Sequence, residues 1–466
     1  MPEKNWPIIP LLVALVAFAI VALTPQIFND GDTFLHVAAG ERMLAEHAIL
    51  FRDPFSYTFF GRPWLAHEWL AEIFMALAYG WGGWAGISLL SASAMALTAF
   101  FFTRHLGRFL PPGPQLLTVA VALACTAPSL LARPHLLALP ALELWTAGLV
   151  IARSRHRAPS WLLLPLMTLW ANLHGGFIIG FFLLACLGAE AVVVEGERRE
   201  SLKSWALFSL GAILAALVTP HFADGLLFPF KLAGTTALGN VGEWQPANFS
   251  TLQPFELAIL AGIYLLASRG IRLPAGRIAI SLVLLHLALQ HMRHQMIFAI
   301  AVPLILAEPI AHALGWKSVD ARPAARAAWN AAFAVLALAV CVARLALPYR
   351  GGAAVAPEAA LARVPDQLRA APVLNDYSFG GYLIFRGVRP FIDSRAELYG
   401  DAFLANYARI VRPDAGAIRR TLDTYRIEWT IFAPESPAVT VLDLLPGWRR
   451  AYADKVAVIH VRMPAR

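Results

Sequence analysis

The sequence predicts a polytopic α-helical membrane protein of about eleven spans plus interfacial helices, followed by a C-terminal soluble α/β domain, and three observations lead there. Hydrophobic residues fill 58% of 466 positions against 15% charged, and the mean hydropathy is +0.60, far from the balance of a soluble globular chain. Basic residues fall in short clusters between apolar runs, the pattern that orients membrane helices by keeping Lys and Arg on the cytoplasmic side. After Leu347 the character changes: residues 348–357 read as a Pro/Gly/Ala linker, and 358–466 mix short alternating stretches with helical ones.

The same observations exclude other classes. A net charge of +8 and a pI near 9.6 do not imply a nucleic-acid partner, because the cations are scattered between spans instead of lining one face. Cys125, Cys186 and Cys341 all lie inside apolar segments without CxxC spacing, so neither a disulfide nor a thiolate metal site is expected. The chain carries no Walker A, HExxH or GxSxG motif and no dinucleotide fingerprint in a usable context, which removes support for ATPase, protease, hydrolase and dehydrogenase chemistry.

Taken in order, residues 8–24 form a first span after a short head containing Lys4, and with no small-residue cleavage site following, it is expected to stay attached. The outer loop 29–83 is the densest run of polarity beside a span. Within it, 32–47 have helical spacing, 53–57 open a Pro-marked turn, and 64–79 form an amphipathic interfacial helix. Leu65, Trp69, Ile73 and Leu77 make the expected apolar face of that helix, with His67, Glu68 and Glu72 off it. The remaining spans are expected at 84–103, 115–131, 135–152, 161–173, 174–194, 204–219, 255–268, 277–290, 295–312 and 328–347. This count gathers the basic clusters at 104/108, 153–157, 198–203, 269–277 and 317–326 on the cytoplasmic side; if 64–79 spanned instead, all five would move outside. In the C-terminal domain, strands are expected at 382–385, 429–432 and 456–461, and helices at 403–411 and 415–425.

With this topology the outer connections hold most of the polar residues that helix packing does not need. Asp30-Gly31-Asp32 offers two carboxylates for a divalent cation (Mg or Mn) or for a general base, with Gly31 permitting a tight turn; two solvated acids at a helix end are the plain alternative. His67-Glu68 on an interfacial helix reads as a second acid/base pair or simply as a wet face, and His36 and Asp53 complete the polar set of the loop. Arg133, His135, Arg293 and His294 would form an electropositive patch suited to a phosphate, or snorkel to lipid headgroups; Arg133 and Arg293 stand out because the outer side is normally depleted of cations. His174 lies in a Gly-rich turn and Glu243 in the long connection before residue 254, while Asp376 and Tyr377 belong to a polar, aromatic run that lines a groove or satisfies turns.

Strings in this pattern resemble the GT-C superfamily of membrane glycosyltransferases, specifically bacterial relatives of dolichyl-phosphate-mannose protein mannosyltransferases and oligosaccharyltransferases. They are DGDTFLHVAAGERML, RDPFSYTFFGRPWLAHEWLAEIF, WANLHGGF and VGEWQPANF, and the resemblance covers the membrane part. VLNDYSFGGY is fainter in its similarity to the WWDYG element of oligosaccharyltransferases, since the paired tryptophans are absent. The resemblance implies sugar transfer from a polyprenyl-phosphate-type donor to an extracytoplasmic acceptor, usually with inversion, in the bacterial plasma membrane, with donor and membrane lipids as partners. It further implies Asp32 as favoured base, Asp30 as acidic partner or metal ligand, Glu68 as the next carboxylate, and Arg133 and Arg293 on the donor phosphate. The alternative is a non-catalytic transporter or lipid-binding assembly factor, which should bury ionisable residues near mid-span.

Overall fold

The computed structural model describes residues 8–194, 198–235, 242–316, 327–349, 352 and 354–464; Lys4 and the cluster Lys317/Arg322/Arg326 lie outside them. The membrane part is built from α1 (Ile8–Leu23), α2 (Asp32–Glu46), α3 (Trp69–Leu106), α4 (Pro112–Thr126), α5 (Pro134–Ser154), α6 (Leu163–Leu173), α7 (Phe177–Val194), α8 (Arg198–Ala216), α9 (Phe222–Ala233), α10 (Pro254–Ser268), α11 (Ala275–Gln290), α12 (Gln295–Ala313) and α13 (Ala327–Ala346). Every apolar segment expected from the sequence coincides with one of these helices. Four segments, Trp69–Leu106, Pro134–Ser154, Met292–Ala313 and Trp329–Ala346, are long and apolar enough to cross a membrane, and five shorter apolar helices accompany them among the described residues. Leu12, Leu117, Ile263 and Leu338 stand exposed on helix faces, as a lipid solvent requires, and the chain is a multi-pass membrane protein.

Two local features of the helices decide where the site forms. The helical run of α3 is broken at Gly82 and Gly83, the latter at φ +55°, ψ −141°, so a short helix from Trp69 meets the following span at a kink that L-residues rarely adopt. The short helix starts at Trp69, not residue 64, and its faces differ from expectation: Leu77 is exposed, whereas Glu72 is buried against α2. Burying Glu72 is tolerable because His36 of α2 reaches it. At α5, Pro134 takes the first helical turn and forces the preceding Arg133 into extended backbone (φ −132°, ψ 163°), which leaves the guanidinium free to turn away from the helix.

The C-terminal domain comprises α14 (Glu358–Leu361), α15 (Asp366–Arg369), β1 (Val373–Asn375), α16 (Gly380–Phe385), α17 (Ala396–Ile410), α18 (Ala415–Thr424), β2 (Trp429–Phe432), α19 (Pro437–Leu444), β3 (Trp448–Ala453) and β4 (Val458–Arg462). Its sheet runs β1-β2-β4-β3, with β1 parallel to β2 and the other pairs antiparallel. The strand expected at 382–385 is instead α16. Tyr382, Leu383 and Ile384 are all buried because both sides of this short helix are covered, so the apolar run carried no period to read.

This domain is keyed into the first loop. Phe34 of α2 sits in its core with Phe379, Tyr382 and Trp429, and α16 packs on α2. Gly31 and Gly381 face each other here: a Cβ on Gly31 would lie 2.3 Å from the Ser378 carbonyl, and one on Gly381 would lie 2.1 Å from the Gly31 carbonyl. Gly31 has ordinary helical angles (φ −63°, ψ −26°), so glycine is needed there for close approach and not for the tight turn expected from the sequence.

Candidate active site

Between the first loop, the helix ends at Arg133, His174 and His291–His294, the amphipathic α9, and the C-terminal domain lies a cavity of about 1010 Å³. That is the upper end of the ~300–1,000 Å³ typical of small-molecule sites, room for more than one small ligand. Its polar groups form two walls.

The first wall is organised by Arg133. One nitrogen, Nη1, donates to Asp30 Oδ2 at 3.0 Å and to Glu243 Oε2 at 2.9 Å, and Nη2 lies 2.6 Å from Asp32 Oδ2. Asp30 Oδ1 accepts the Asp32 N–H at 2.8 Å. Glu243 is shared with Arg293, whose Nη1 donates to Oε1 at 3.1 Å while its guanidinium lies 4.5 Å over the Trp244 ring. Burial pushes the Asp32 carboxyl up to about 6, against the opposing pull of Arg133. Burial acts the same way on Glu243, but Arg133 and Arg293 outweigh it and bring that carboxyl down to about 2. Glu243 is therefore a fixed anion, and Asp32 a carboxylate poised to exchange a proton near neutral pH. The imidazoles nearby are anchored to carbonyls: His135 to Ser129 at 2.9 Å, His291 to Trp244 at 2.6 Å and His294 to Leu287 at 3.3 Å.

The second wall is a carboxylate–imidazole network. His36 Nδ1 lies 3.0 Å from Glu72 Oε1 and its Nε2 lies 3.7 Å from Glu68 Oε2. Glu68 Oε1 is 3.6 Å from His67 Nε2 and 3.5 Å from His174 Nε2. The Gly176 N–H donates to His174 Nδ1 at 3.0 Å, so the neutral ring carries its proton on Nε2, directed at Glu68. Burial holds His174 down to about 3, in keeping with that neutral form. His36 and His67 move the other way: burial disfavours their charge, but the carboxylates around them prevail. His67 also stacks on Phe228 of α9, with ring centroids 4.1 Å apart, and Trp64 Nε1 donates to Glu397 at 3.2 Å.

Of the residues singled out in the sequence, Asp30, Asp32, His36, His67, Glu68, Arg133, His135, His174, Glu243, Arg293, His294 and Tyr377 all line this cavity. Asp53 and Asp376 do not. Asp53 is buried and accepts from Arg395, from the Ser56 side chain and from loop N–H groups, while Asp376 caps the turn at Tyr377–Phe379 through the Ser378 N–H. Both therefore act in the architecture and not on a ligand. Glu72, which the sequence places on the polar side of the helix at 64–79, and Glu397, in the polar run 393–399, carry no site role in the sequence reading, and α9, which covers the cavity, is read there as part of a loop. Glu68 and Glu72 share the i, i+4 spacing that would have linked Glu72 to the network, and Glu397 lies in the polar, aromatic run 393–399, which reads as lining a groove or satisfying turns.

The chain shares its fold with two solved structures. An oligosaccharyltransferase of Archaeoglobus fulgidus, in its apo form, is similar with a TM-score of 0.54 at 10% identity, over 92% of this chain and 70% of its own. ArnT from Cupriavidus metallidurans, solved bound to undecaprenyl phosphate, is similar with a TM-score of 0.51 at 12% identity, over 100% of this chain and 99% of its own. No protein-family model and no curated protein matches the sequence, so the likeness is one of fold.

Proposed function

We propose that the protein is an inverting membrane glycosyltransferase that moves a sugar from a polyprenyl-phosphate-type donor to an extracytoplasmic hydroxyl acceptor. The observation that carries this reading is the first wall: Asp32, a carboxylate with its proton affinity raised toward neutrality, shares the Arg133 guanidinium with Glu243, which in turn holds the cavity-lining guanidinium of Arg293. Asp32 takes the proton of the acceptor hydroxyl as its oxygen attacks the anomeric carbon, and the bond from that carbon to the lipid phosphate breaks with the electron pair leaving on phosphate. Arg293 receives that phosphate: only its Nη1 donates to Glu243, whereas Arg133 is committed to three carboxylates. The donor class is supported by the undecaprenyl phosphate bound to ArnT, a protein of the same fold. The outward placement of the site is supported by the basic clusters, which the sequence puts at the opposite helix ends.

Asp32→Asn tests the assignment. It keeps size and hydrogen bonding but cannot accept a proton, so transfer from a labelled polyprenyl-phosphate sugar pool to envelope acceptors should fall by about 10²–10⁴-fold with donor lipid still bound. Because the folded chain holds this proton more tightly than the unfolded chain, ionisation at neutral pH opposes folding, and the variant should melt no lower than the wild type. Turnover that survives the change transfers the role to Glu68. A transporter reading draws on one observation, that Glu143 midway along α5 is fully buried with neither carboxylate oxygen hydrogen-bonded among the described residues. It predicts no sugar transfer in the wild type.

A further inference from the structure

Three carboxylates from two separate segments, Asp30 and Asp32 of the first loop and α2 and Glu243 of the connection after α9, meet at a single point, and that point is the Arg133 guanidinium. Such an oxygen cluster ordinarily suits a hard divalent cation. Here the oxygens are already taken. Asp30 Oδ2, Asp32 Oδ2 and Glu243 Oε2 face Arg133, Asp30 Oδ1 accepts the Asp32 N–H, and Glu243 Oε1 accepts from Arg293. Of six carboxylate oxygens, Asp32 Oδ1 is the one these groups leave, too few for an ion that takes about six to eight oxygen ligands.

We propose that the Arg133 side chain is a built-in replacement for a divalent cation: it occupies the place that Asp30, Asp32 and Glu243 would offer a metal, so this site operates without one, and removing the guanidinium alone turns it into a metal-binding site. Pro134 holds the Arg133 backbone extended at the mouth of α5, outside the helix, and from there the guanidinium reaches all three carboxylates. A metal bound beside it would face like charge from both Arg133 and Arg293. The guanidinium also does what a cation would do for these acids. It holds Glu243 as an anion and sets the spacing of Asp30 and Asp32.

The test reads metal binding directly, so its outcome is separate from that of the glycosyltransferase reading. Mn²⁺ is titrated into the purified full chain in lipid nanodiscs, and free Mn²⁺ is followed by electron paramagnetic resonance. Wild-type protein should bind no Mn²⁺ at this site below about 1 mM, whereas Arg133→Ser should gain one site per chain at least tenfold tighter, lost again in Arg133→Ser/Glu243→Gln. Should the serine variant not fold, Arg133→Gln, which keeps bulk and donors but not charge, carries the same expectation. One Mn²⁺ bound by the wild type and abolished by Asp30→Asn overturns the proposal, as does a folded charge-removal variant that binds no more Mn²⁺ than the wild type.

Discussion

Two arginines that line this cavity sit among carboxylates in nearly the same way, yet the carboxylates of one are partly open and those of the other are fully buried. Arg133 faces Asp30, Asp32 and Glu243, all of them partly open, with Glu243 27% exposed. Arg395 grips Asp393 through Nε and Nη2 at 2.8 and 2.7 Å, reaches Asp53 through Nη1 at 2.8 Å, and stacks 4.6 Å over Trp64. Asp393 and Asp53 are 0% exposed at their side chains, and Arg395 keeps the Asp393 carboxyl below its usual range although burial would raise it. The chemistry of the two nodes is alike; access divides them. Where the carboxylates are fully buried, an ion pair ties distant segments together, and where they are partly exposed beside a cavity the same groups are accessible to a ligand.

Breaking the buried node should have the largest effect. Arg395→Ala leaves two buried carboxylates without a counter-charge and should cost about 3–5 kcal/mol of stability, read as loss of monodisperse protein and a lowered melting temperature. Equal loss on Asp32→Asn would erase the distinction between the two nodes. A smaller effect is expected at the cavity. Arg293→Ala should weaken donor-lipid binding by about 1.5–3 kcal/mol if it makes a charge-assisted hydrogen bond to phosphate, while Arg155→Ala, at the far end of α5, should leave binding unchanged. Equal small losses would make Arg293 a headgroup contact. The mildest test is pH. With the Asp32 carboxyl at about 6, the base is ionised above that value and lost below it, so kcat/KM should fall about tenfold per pH unit under pH 6. A profile flat down to pH 5 assigns the proton to another group.

Much of the membrane part was legible because each helix announces itself by an apolar run, and the polar residues left between runs could only gather where the helix ends gather. Arg133 and Arg293 were visible as cations on the side that membrane topology depletes. Their difference was not, because it depends on Glu243 lying between them, 110 and 50 positions away. Asp53 shows the same limit: its partner Arg395 is 342 positions distant, and no local pattern distinguishes an acid meant for a ligand from one meant for a buried guanidinium. In α16 the failure was one of period, since a short helix covered on both sides carries no alternation to read. The helix α9 contains Gly225 and Pro229, which read as loop punctuation although the segment stays helical over the cavity.

The interlock of Gly31 with Ser378 and Gly381 also sets a timetable. Tyr377, Ser394 and Glu397, which complete the cavity of Asp30 and Asp32, leave the ribosome 345–367 positions after them. At ~5–20 residues per second that is a delay of roughly 20–70 s, during which the cavity lacks that wall. A nascent chain therefore has an incomplete cavity until its C-terminal domain has docked on the first loop.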